Sequence, residues 1–170
     1  MTIDHAVSLL RELGAAELPH PGGTLLAHLE RVRRQLADWC ARPELQLAGL
    51  CHAAYGTDGF PAALLPLDRR ADLAAVIGPE AERIVHRYAS CDRRATYPGL
   101  SGPDAAFHDR FTGSVFTPDR SALRDFAELT AANELDIARI DPAFRDRSGA
   151  DLLALFTRLR PLLSPAAWAA

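Results

Sequence analysis

Two histidines stand at positions where chemistry is expected. His28 lies one helical turn after Leu25 and one before Val32, on the apolar stripe of its segment. His52 sits inside LAGLCHAAY, the most apolar stretch of the chain. A neutral imidazole is the commonest metal ligand, and its pKa near neutrality also suits it to general-base work. Either role fits two inward histidines on adjacent helices, and so does a structural one in which each ring bonds a backbone carbonyl. His20 precedes Pro21-Gly22-Gly23 and can reach over the start of the helix that carries His28. Tyr55, three residues after His52, is a candidate donor to a ligand oxygen, or a helix-end aromatic bonded to a carbonyl. In the run Asp92-Arg93-Arg94, Arg93 is a candidate anion clamp, although arginine after a helix is favourable in any case. His86 and His108 read as solvated, and His5 carries no signal.

The elements that must hold these residues read as helical nearly throughout. Thr2 caps a helix over 3–13, and Thr24 opens one over 24–40 with Leu25, Leu29, Val32, Leu36 and Trp39 inward. Arg31, Arg33, Arg34 and Asp38 fall on its wet side. Pro43 starts a third helix, apolar all round and therefore central, which runs to Tyr55. Gly56 suits a left-handed stop, and Thr57 and Asp58 suit a cap on the turn that follows. Short helices are expected over 60–65 and 68–77, and a stronger one over 80–90. From Cys91 to Thr117 glycine and proline mark a long loop, a lid or a dimer arm, with one short helix at Asp104–Arg110. Thr117-Pro118 opens a long helix to Ile140. Ser148 and Asp151 form a near capping box for a last helix to Leu163. No strand alternation competes, so the fold class is all-α, a single domain over 1–170.

Composition narrows the function classes. The 170 residues carry a net charge of -3, and all 19 basic residues are arginine. Without a basic surplus the chain has no footprint for a phosphate backbone, so nucleic acid is not the expected partner. Three scattered cysteines exclude a disulfide framework and a zinc ribbon. Neither a basic n-region followed by an apolar run nor a membrane-length apolar stretch occurs, so the expected location is cytoplasmic. Arginine without lysine, together with many alanines, points to a GC-rich bacterial source.

The runs TLLAHLERV, LAGLCHAAYG and LTAANELDIAR resemble the HD-domain superfamily over roughly His20 to Ile140. That resemblance implies a compact helical bundle. It also implies a metal site built from a histidine on one helix, a His-Asp pair on the next and an aspartate on a later one. His28 takes the first position, His52 the second and Asn133 the last. The pair here is His52-Ala53, so both carboxylates that would neutralise a divalent cation are absent. Asp136, one turn after Asn133, or Asp58 would have to supply oxygen instead. Two imidazoles and an amide make a weak site for a hard cation, but suit a softer metal with water or with His20. More closely, HPGGTLLAHL, LAGLCHAAYGTDGF, IGPEAERIV and CDR resemble a chiefly bacterial HD-like family that brings no activity with it.

The expectation is therefore a small-molecule enzyme acting hydrolytically or oxidatively on a polar metabolite. His52 is its base or metal ligand, with His28 and Tyr55 the other catalytic candidates. His20, Asn133 and Arg93 contact substrate. His28, His52 and Asp136 are the candidate ligands for iron, manganese or zinc, and a site without any cofactor is equally open. The alternatives are a metal-free domain that binds a small molecule or a partner, and an HD-type phosphohydrolase. A homodimer is compatible with all three.

Overall fold

The computed structural model describes residues 2–102 and 105–170. Among them the architecture is an all-α bundle with two minimal hairpins. Helix α1 (Ile3–Glu12) is capped by Thr2, whose hydroxyl accepts from the His5 amide. Strands β1 (Pro19–His20) and β2 (Gly23–Thr24) pair antiparallel and turn the chain into α2 (Leu25–Asp38). Thr24 caps α2 by accepting from the Ala27 amide, and the inward face holds Leu25, His28, Leu29, Val32 and Leu36.

Helix α3 (Pro43–Cys51) begins with proline at its first turn and lies against α2, α5 and α7 at the centre. Gly49 permits the close approach of α2, since a Cβ there would strike Leu36. The expected helix through Tyr55 stops instead at Cys51. Bonds from Ala54 to Cys51 and from Gly56 to Ala53 tighten residues 52–55 into turns, and Gly56 ends them at φ +70°.

The expected helix over 60–65 is absent. Pro61 and Pro66 interrupt the segment, and the amides of Leu64 and Leu65 both bond the Ala54 carbonyl. A single 3-10 turn then leads into α4 (Arg70–Ile77), and Pro79 starts α5 (Pro79–Ser90).

The long segment after α5 folds back on the core. Asp92 caps the one-turn α6 (Arg93–Thr96), and β3 (Phe107–His108) pairs antiparallel with β4 (Val115–Phe116). The helix expected at Asp104–Arg110 is replaced by this hairpin from Phe107 on, while Asp104 lies outside the described residues. Phe107 is fully buried against Phe126 and anchors the hairpin to α7 (Arg120–Ile140).

Asp119, not Thr117, caps α7. Helix α8 (Pro142–Leu159) begins six residues before the expected Ser148, because Asp141 accepts from the Phe144 amide and Pro142 occupies the first position. Helix α9 (Pro165–Ala169) closes the chain. The core runs through α1 to α5, α7 and α8, with α8 packed on α7. No helix among the described residues is long and apolar enough to cross a membrane.

Candidate functional site

Helices α2, α6, α7 and α8, the β1–β2 turn and the turns that follow α3 line a cavity of about 290 Å3. His20, His28, His52, Asn133 and Arg93 all line it. His28 is 1 % exposed and His52 2 % exposed. The His20 and His28 rings stack with centroids 4.1 Å apart, and His52 meets His28 edge-on at 5.3 Å.

His28 uses both ring nitrogens. Nδ1 lies 2.6 Å from an Asp136 carboxylate oxygen and Nε2 lies 3.0 Å from Asn133 Oδ1. The Asn133 amide orientation follows from its other bond, because Nδ2 donates to Glu134 Oε1 at 3.1 Å. Both nitrogens of His28 therefore face side-chain oxygens, and neither is left free. Arg31 grips Asp136 from behind with two bonds, Nε at 2.7 Å and Nη2 at 2.9 Å. Burial would raise the Asp136 carboxyl, but the hydrogen bonds from His28 and Arg31 win and hold it below the ordinary carboxylate range. Glu134 also accepts from Arg93 Nη1 at 2.9 Å. One continuous chain thus runs Arg31–Asp136–His28–Asn133–Glu134–Arg93.

His52 behaves differently. Its Nδ1 lies 2.8 Å from the Gly49 carbonyl, so Nδ1 carries the hydrogen and Nε2 is a bare acceptor. Burial, then the nearby His28, pushes its pKa down to about 3. His20 falls to about 4 for the same two reasons, and its buried Nδ1 has no partner among the described residues. Both rings are neutral at neutral pH. At that pKa His52 is a hydrogen-bond acceptor first and a weak base second.

Arg93 enters the cavity because its backbone amide bonds Asp58, which tethers the start of α6 to the turn after α3. Its guanidinium lies over the Tyr88 ring and donates to Tyr88 Oη at 3.3 Å. Burial disfavours its charge, but the surrounding Tyr88, Tyr97 and Glu134 more than compensate and hold it protonated.

Three expectations are corrected. Tyr55 does not line the cavity; its hydroxyl donates to Glu82 at 3.0 Å, and Arg70 holds the same carboxylate with two bonds. Tyr55 is a structural anchor of α5 rather than a catalytic candidate. Arg31, assigned to the wet side of α2, is half-buried on Asp136. Being three residues after His28, it shares that face, and the spacing could have shown it. His86 is half-buried between Tyr55 and Phe111 rather than solvated, and burial lowers its pKa.

The ligand set His28, His52 and Asp136 does not fit a divalent metal. Both nitrogens of His28 are spent, and Asp136 is neutralised by Arg31. Ala53 and Asn133 provide no charge, while Arg93 already brings a fixed cation to the wall. Among the described residues no group of three or more His, Cys, Asp or Glu is placed to hold a metal ion.

Glu134, Asp141, Phe144 and Arg147 also line the cavity and had no sequence signal. The last three belong to the start of α8, and placing that start at Ser148 left them in a loop.

No match was found among curated proteins or among solved structures. One family model matches residues 9–93, half of the chain, spanning His20, His28, His52 and Arg93. The chain belongs to that family, whose description is a domain of unknown function (DUF6817).

Proposed function

We propose that this protein is a metal-independent domain that binds a small polar metabolite in the histidine-lined cavity, on an HD-like helical framework. The observation that carries this reading is a cavity of about 290 Å3 walled by three inward histidines, two of which leave a ring nitrogen without a partner. Buried polar atoms are nearly always satisfied, and a ligand or water supplies the missing bonds. A volume of this size lies at the small end of ligand sites.

Two measurements test it. Elemental analysis of protein purified without chelator or affinity nickel should find no stoichiometric iron, manganese or zinc. A thermal-shift screen of a chemically broad metabolite panel should find a saturable stabiliser whose effect disappears in His52→Phe. Near-stoichiometric metal, lost in a His28→Ala/His52→Ala double variant, would overturn the metal-free reading and restore a metalloenzyme.

A second reading, a metal-free acid–base enzyme, is favoured by one observation. The bond to Gly49 fixes the His52 tautomer and leaves Nε2 as the free nitrogen of a cavity-lining ring, as a general base requires. Turnover that survives unchanged in His52→Ala would sink it. The phosphohydrolase alternative gains no support, since Asp136 is held by Arg31.

A further inference from the structure

The cavity wall specifies what its occupant must offer. His52 Nε2 presents only a lone pair, because the ring hydrogen is committed to the Gly49 carbonyl. His20 Nδ1, across the stacked His28 ring, is also unpaired. A group that meets Nε2 must therefore bring a hydrogen of its own. The charges on the wall cancel, with Arg93 and Arg147 against Glu134 and Asp141. Arg93 and Glu134 are bonded to each other, so neither is a free counter-ion for a ligand. Phe60 and Phe144 add apolar aromatic surface.

These demands discriminate between ligand classes. A carboxylate or phosphate brings lone pairs to the lone pair of His52, finds the buried Arg93 already paired with Glu134, and is left only the exposed Arg147 at the rim. An ammonium supplies hydrogens but nothing for the remaining guanidinium hydrogens of Arg93 to bond. A hydroxyl does both, since it donates to an imidazole nitrogen and accepts from Arg93. Several hydroxyls on one small carbon frame would also lay C–H surface on the aromatic rings.

We propose that the cavity selects an uncharged polyhydroxylated molecule of about monosaccharide size, which donates a hydroxyl hydrogen to His52 Nε2. This rests on the reading of the cavity as a small-molecule site, and it names the class of molecule.

The test is isothermal titration of the whole chain with D-glucose, sorbitol, gluconate, glucose 6-phosphate and glucosamine. Glycerol serves as the control for the general stabilisation that excluded polyols give. The expected result is saturable binding of glucose or sorbitol. Gluconate, glucose 6-phosphate and glucosamine should each bind at least tenfold more weakly. His52→Phe, which keeps a ring of similar size without the acceptor, should lose at least tenfold in affinity, and His108→Ala should lose none. The wild-type ranking stands even if His52→Phe fails to fold. Tighter binding of a charged member, or no saturable binding of either neutral one, overturns the proposal. If the broad panel then yields a stabiliser of another class whose effect needs His52, the small-molecule site stands and only its assigned class falls. If that panel yields none, both fall.

Discussion

His28 is the residue on which the site turns. It is fully enclosed and bonded on both sides, so its removal leaves Asp136 to Arg31 alone and Asn133 Oδ1 without its partner. His28→Ala should cost about 1–3 kcal/mol, the range for leaving a buried hydrogen-bonding group without its partner, read from urea denaturation. Asn133→Asp probes the other side. It would set a second carboxylate against Glu134, which now accepts from the Asn133 amide. At neutral pH the variant should be less stable than the parent by about 1–3 kcal/mol. An Asn133→Asp protein as stable as the parent at pH 7 would contradict the bond to Glu134. His52 and His20 set a pH dependence with a definite sign. Their folded pKa values, about 3 and about 4, lie below the ordinary value of 6.5, so the unfolded chain binds more protons in between. Stability should therefore rise with pH from about 4 to 6.5 and fall away on acidification through that window. The slope of the urea midpoint against pH should be shallower in His52→Gln. An unchanged slope would mean that the ring titrates normally in the fold.

At the scale of elements, caps and stops place the helices that carry these residues. Asp141 caps α8 and thereby sets Phe144 and Arg147 along the cavity. Asp141→Ala should cost about 1 kcal/mol by urea denaturation. Because the same helix covers the site, it should also raise amide exchange in the first turn of α8 more than in α3. Gly56 ends the turns after α3 at positive φ, and a Cβ there would press on the Pro61 backbone at 2.9 Å. Gly56→Ala should therefore destabilise by more than about 1 kcal/mol, because strain and clash act together. Most of this scale was legible in the sequence. Thr2, Thr24, Pro43, Gly56 and Pro79 punctuate the chain through local backbone chemistry that needs no distant partner. The misplaced elements are those where local signals competed. Ser148 imitates a cap in mid-helix, while Asp141-Pro142 is the real one. Residues 60–65 lack a helix because Pro61 and Pro66 interrupt the segment and the Leu64 and Leu65 amides bond Ala54.

The whole molecule is a helical bundle that gathers side chains from α2, α6 and α7 into one polar network against an apolar core. Apolar spacing along single segments determined the all-α class, the inward placement of His28 and His52, and the central position of α3, because periodicity is a local property of the chain. Composition gave a net charge of -3, without the basic surplus that a phosphate backbone calls for. Tertiary structure alone decided how those groups are spent. Asp136 meets Arg31 and His28 across more than a hundred residues, which removes it as a metal ligand. Tyr55 turns to Glu82 and away from the cavity, and Glu134 takes up Arg93. A side chain's hydrogen bonds, charge state and free lone pairs depend on which distant partners packing brings within about 3 Å. Residue type and spacing list the candidates for chemistry, and only the folded contacts leave His52 Nε2 without a protein partner at the cavity.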